Sequence, residues 1–135
     1  MKTARVTMRW MKYKILLILG ILIGTAGQLI MKQGVNALGG VHISPATLPT
    51  ELLRMFTNPY VLIGLVFAGL SFVLWIAVIS NLELSFAYPF VATSYIIILL
   101  FGYLIYHENV NLLRIGGVAL IGAGVILIAG TGGKD

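Results

Sequence analysis

Three polar residues, Thr25, Gln28 and Lys32, stand at i, i+3 and i+7 in a long apolar stretch. On a helix they form one stripe. The Lys32 amine can attract an anion, or it can snorkel to a membrane surface as an anchor at the helix end. The Gln28 carboxamide lies about one turn further in and needs hydrogen-bond partners. A second group is Ser85, Tyr88, Thr93, Ser94 and Tyr95, with Tyr88, Ala92 and Tyr95 on one face. Ser71 and Trp75 add a third group at i, i+4. Pro89, inside the second group, removes a backbone donor, frees the Ser85 carbonyl and predicts a bend. Glu108 and Arg114 flank a short connection, where they can pair to close the loop or act as a gate.

These residues do not make an enzyme. No nucleophile, base and orienting group can be assembled, and no phosphate loop is present. The chain has no cysteine, which excludes disulfides and thiolate chemistry. His42 stands alone in a loop, so neither a metal site nor a cofactor is expected. The net charge of +5 does not imply nucleic acid, because the basic residues do not form a soluble face.

The elements that must carry the polar groups are membrane spans. Of the 135 residues, 59% are hydrophobic and 10% are charged, against about 25% charged in a soluble domain. Crossing the hydrocarbon takes roughly 20 apolar residues as a helix, which pairs its own backbone. Four such runs cover residues 15–31, 60–80, 84–106 and 112–130. They do not alternate as barrel strands would. The basic start followed by an apolar run and Gly24-Thr25-Ala26-Gly27 also has a signal-peptide pattern. That run continues through Gln28-Leu29-Ile30-Met31, longer than such a segment needs.

The fold class is therefore an all-α membrane protein, a single domain over residues 1–135, with four transmembrane helices in a compact bundle. The connection from Lys32 to Pro59 is the long one. Its Pro49–Phe56 part predicts a short interfacial helix, with Leu52, Leu53 and Phe56 on one face. Lys2, Arg5, Arg9, Lys12 and Lys14 precede the first span. With Lys134 they outnumber Lys32, Arg54 and Arg114 on the other side, which favours cytoplasmic termini. Gly20, Gly24 and Gly27 form one small-residue face. Gly116, Ala119 and Ala123 form another, beside Gly117 and Gly124. Such faces serve packing within a bundle or between subunits.

The ordered set of motifs resembles a known superfamily. Gly24-Thr25-Ala26-Gly27-Gln28-Leu29-Ile30-Met31-Lys32-Gln33 resembles the first span of the small four-helix drug/metabolite transporters. Ala87-Tyr88-Pro89, Glu108, Gly117-Val118 and Gly124-Val125 resemble the EamA-type half-repeat. With Leu74-Trp75 and His107-Glu108, the set is most similar to the small subunits of the undecaprenyl-phosphate–aminoarabinose flippase. Two departures stand out. Gly24 occupies the place of the span-one Glu of small multidrug resistance proteins, and the first loop is longer than in the relatives.

The resemblance implies a transporter in a bacterial or archaeal inner membrane, moving a polyprenyl-phosphate-linked sugar or similar anionic lipid between leaflets. Lys32 would attract the phosphate. Gln28, Ser94 and Tyr88 would hydrogen-bond the sugar, with Thr25 and Ser71 nearby. Trp75 and Tyr95 would offer flat apolar contact. The working unit would be a homodimer, or a heterodimer with a related four-helix subunit. Two alternatives are export of small metabolites or quaternary cations, and a non-transporting assembly subunit.

Overall fold

The computed structural model describes residues 2–131, with side chains from residue 10 onward. Six helices follow in order: α1 (Lys2–Ala37), α2 (Leu48–Thr57), α3 (Pro59–Ile79), α4 (Leu84–Val91), α5 (Ser94–Leu104) and α6 (Leu112–Gly130). Four segments are long and apolar enough to cross a membrane: Trp10–Ala37, Pro59–Ile79, Leu84–Leu104 and Leu112–Gly130. The chain is an integral membrane protein with an all-α fold. The orientation signal rests largely on Lys2, Arg5, Arg9 and Lys134, whose side chains lie outside the described residues.

The first and third spans differ from their sequence ranges. Helix α1 runs well beyond 15–31 at both ends. Its apolar centre sets the hydropathy signal, while backbone pairing continues into the flanking polar turns. The third span is two helices rather than one, with the break at Ala92 and Thr93, just beyond Pro89. There the backbone shifts to tighter bonds: Ala92 N–H to Pro89 O, Thr93 N–H to Phe90 O and Tyr95 N–H to Ala92 O. The Thr93 hydroxyl donates to Phe90 O at 2.6 Å, and the Ser94 hydroxyl to Val91 O at 2.7 Å. These hydroxyls bind carbonyls that a regular helix would give to the N–H groups of residues 94 and 95. The interruption is thus satisfied from within, as a break at membrane depth must be.

Helix α1 packs chiefly on α3; α2, α4 and α5 lean against that pair, and α6 packs on α4 and α5. Glycines set the approach. A Cβ on Gly64 would lie 2.7 Å from Gly27 O, and one on Gly27 would lie 2.9 Å from Gly64 O. Ser71 adds a bond between helices, its hydroxyl donating to Gly20 O at 2.8 Å. Asn58 fixes the start of α3. Its Oδ1 accepts from Tyr60 and Val61 N–H, and its Nδ2 reaches Gly34 O on α1.

The bundle is looser than the compact form expected. Its main core is small, formed by Leu17, Val78, Leu82, Phe86 and Ala87. On α6 a Cβ at Gly116, Gly117 or Gly124 would meet nothing within 4 Å. Without a hydrophobic drive between helices in lipid, close contact needs small residues facing one another. The span-one glycines have such a partner in α3. On span four, Gly122 meets only the tip of Ile96, and Gly116, Gly117 and Gly124 have no neighbour among the described residues.

Candidate functional site: a groove beside a broken helix

A groove of about 420 Å³ runs along α1 from Leu16 to Met31, walled by α3, α4 and the start of α5. Thr25, Gln28, Ser71, Trp75, Tyr88 and Ser94 all line it. Tertiary packing thus brings six of the eight residues nominated for binding onto one surface. The break after Pro89 contributes here, since Tyr88 comes from one side of it and Ser94 from the other.

The six differ in what they can still offer. Thr25 is buried and donates to Ile21 O at 2.7 Å. Ser71 and Ser94 also give their hydroxyl protons to backbone carbonyls. Gln28 is exposed in the groove, and its carboxamide has no hydrogen-bond partner among the described residues. Trp75 and Tyr88 meet edge to face, with ring centroids 5.1 Å apart and planes at 84°. That pair makes a rigid apolar wall with the phenol as a polar tip.

Lys32 and Tyr95 are not among the groove-lining residues. Lys32 lies one helical turn beyond Gln28, and its amine sits 2.9 Å from Glu108 Oε1. This corrects the loop-closing Glu108–Arg114 pair. Arg114 instead donates to Asn109 O at 2.9 Å, within its own turn, and Asn111 caps α6 by accepting from Arg114 N–H. The reason is topological. The ends of the first and third spans meet on one side of the membrane, so Glu108 finds a cation on α1. Tyr95, Glu108 and Arg114 instead line a second cavity of about 350 Å³, between α5 and α6.

Sequence reasoning missed the parts that seat Glu108. Tyr106 fits an interfacial belt by position, yet its hydroxyl donates to Leu29 O on α1. Burial, the largest influence, raises the Tyr106 phenol above its usual range, Lys32 opposing and Glu108 adding to the shift. The phenol therefore remains a donor. The usable signal was parity: two odd-numbered spans end on the same face, one with Lys and the other with Glu. No group of His, Asp or Glu able to hold a metal occurs among the described residues.

A four-span bundle with one broken helix and a mainly apolar groove that carries a few polar groups fits a small membrane transporter. The EamA-like transporter family model matches residues 47–130, and the chain belongs to that family. Its relatives include the probable 4-amino-4-deoxy-L-arabinose-phosphoundecaprenol flippase subunit ArnE of Aeromonas salmonicida. The two are 28% identical over 86% of this chain and 96% of the relative. The protein of the same name from Pseudomonas fluorescens strain Pf0-1 is 31% identical over 79% of this chain and 94% of its own length. That of Salmonella paratyphi C is 30% identical over 84% and 94%. No solved structure matches the chain.

Proposed function

We propose that the protein is a flippase or flippase subunit that moves a polyprenyl-phosphate-linked sugar, or a similar anionic amphipathic lipid, between leaflets. The observation that carries this reading is Gln28. An unpartnered carboxamide in a membrane groove is costly unless a ligand serves it. Around it, Tyr88 and Ser94 offer oxygens to a sugar, and Trp75 offers a flat apolar wall. Lys32, one turn away, is the cation for the phosphate. Tyr95, on the far side of α5, serves the second cavity. The names of the relatives support a lipid-linked sugar as cargo. The charge bias supports cytoplasmic termini, and the resemblance to the relatives supports a bacterial or archaeal inner membrane. The uncovered face of α6 supports a dimer, with a second copy or a related four-helix subunit.

Transport follows from this arrangement. The polar head moves along the groove while the tail stays in the bilayer. Span one has no acid, and Gly24 stands where a proton-exchanging Glu would be needed. A cation has no counter-charge at that depth. The test is flux in proteoliposomes of a short-chain polyprenyl-phosphate sugar, with ethidium under a pH gradient as the second arm. Lipid flux is expected, with Lys32→Ala lowering it strongly and Lys32→Arg retaining part. Normal flux in folded Lys32→Ala would reduce the amine to an anchor. Ethidium efflux without lipid flux would overturn the reading in favour of a cation exporter.

A further inference from the structure

Glu108 occupies the place that an incoming anion would want. Its carboxylate is 2.9 Å from Lys32 Nζ, and the two side chains are 42% and 46% exposed, so a ligand can reach both. Several features hold this carboxylate in position. His107 takes φ +52°, the only positive φ outside glycine among the described residues. That turn lets Glu108 N–H return to Gly102 O at 3.0 Å. Gly102 leaves room for the side chain, since a Cβ there would sit 3.1 Å from Glu108 Oε2. Tyr106 ties the same segment to α1 through Leu29 O, with its ring 5.9 Å from the Lys32 amine. A non-glycine residue in the left-handed region is uncommon. Here it is what aims the carboxylate at α1.

A second cation is available to that carboxylate. Arg114 lines the cavity that Glu108 also lines. Among the described residues, its side chain is engaged by the Asn109 carbonyl rather than by a counter-charge. We propose that Glu108 is a specificity-determining counter-anion with two seats: it holds Lys32 in the empty protein and crosses to Arg114 when a lipid phosphate takes the amine. The inference rests on the reading of Lys32 as the phosphate site. It adds that binding is an exchange of one anion for another. An exposed ion pair contributes little stability, so a phosphate that binds Lys32 with several contacts can displace it. A neutral headgroup cannot, and a cationic one would pair with Glu108 rather than take its place on Lys32. The exchange also removes one of the ties between the turn after α5 and α1, leaving the Tyr106–Leu29 bond as a pivot, which links cargo recognition to movement of the third span.

The chain lacks cysteine, so the test uses labels at Gln33→Cys and Asn109→Cys in the full protein, in lipid nanodiscs. Spin-label distances between α1 and the turn are read with and without dodecyl phosphate, and binding is titrated in parallel. Inorganic phosphate, tested separately, tells a lipid headgroup from a free anion. Dodecyl phosphate is expected to lengthen the distance. Glu108→Gln should show the longer distance unliganded and bind dodecyl phosphate several-fold more tightly. Glu108→Asp should keep the short distance. Arg114→Gln should weaken binding several-fold without altering the unliganded distance. A Glu108→Gln protein with wild-type distance and affinity would overturn the proposal, as would a phosphate response unchanged by Arg114→Gln. Neither readout uses flux. Failure to transport, with the exchange intact, would instead count against the flippase reading.

Discussion

The polar side chains of this protein divide by whether their donors are already engaged. Thr25, Ser71 and Ser94 serve backbone carbonyls, the usual use of a hydroxyl inside a membrane helix. Gln28 and the Tyr88 phenol are not engaged in this way. This division orders the mutations. Gln28→Leu shortens the side chain by one atom and removes both polar functions, so cargo affinity should fall about tenfold, as for a lost buried hydrogen bond. Titration with a lipid-phosphate sugar in nanodiscs measures it. Thr25→Val at a hydroxyl already paired with Ile21 O should leave that affinity within about twofold, since exchanging one internal hydrogen bond changes little at the groove. Equal effects of the two would mean that the groove does not discriminate by free donors.

Helix contacts are equally uneven. Gly64 meets the Gly27 carbonyl and the Met31 side chain so closely that an added methyl has no space. A backbone oxygen cannot give way as a flexible side chain would. Gly64→Ala should therefore separate α1 from α3 and cost about 1–3 kcal/mol, the scale of overpacking. Thermal unfolding in detergent would show a lowered midpoint, while Gly124→Ala, facing open space, should unfold like wild type. Helix α2 presents different chemistry on each flank. Glu51 is buried and bonded to Arg54 at 2.7 Å, and Arg54 also reaches Leu38 O. Leu52, Leu53 and Phe56 are exposed. A helix with one flank on protein, one apolar flank and one polar flank fits the headgroup boundary. A fluorophore at Leu53→Cys should be quenched by shallow lipid-borne quenchers and little by aqueous iodide. The reverse pattern would make α2 a solvated loop helix.

Among the described residues, one long face of the molecule has no partner. On α6, Leu112, Leu113, Leu120, Ile126 and Leu127 are largely exposed beside glycines that meet nothing. Lipid can cover leucines, but the glycine stripe favours close approach of another helix. Transporter repeats commonly meet around a midplane site. Gly124→Cys in native membranes should crosslink into a dimer, or to a related subunit where one is present. Persistent monomer, with full flux from single copies in nanodiscs, would show that four helices suffice.

The amino-acid sequence by itself determined the membrane class, the four spans, the fourth span's ends and six polar or aromatic residues that line the groove. These are local properties. Run length and hydropathy decide a span, because a helix satisfies its own backbone, and a polar residue in such a run stands out wherever it points. It also marked Pro89 as a disturbance, but not the break beyond it. That depended on the hydroxyls of Thr93 and Ser94 capturing the carbonyls of Phe90 and Val91. Only the tertiary structure decided which glycine face is consumed by packing and which stays open, since both faces read alike in one dimension. It alone decided that Lys32 holds Glu108. That contact joins residues far apart in the chain, through a left-handed turn at His107 and a missing Cβ at Gly102. Neither has meaning until α1 and α5 lie side by side.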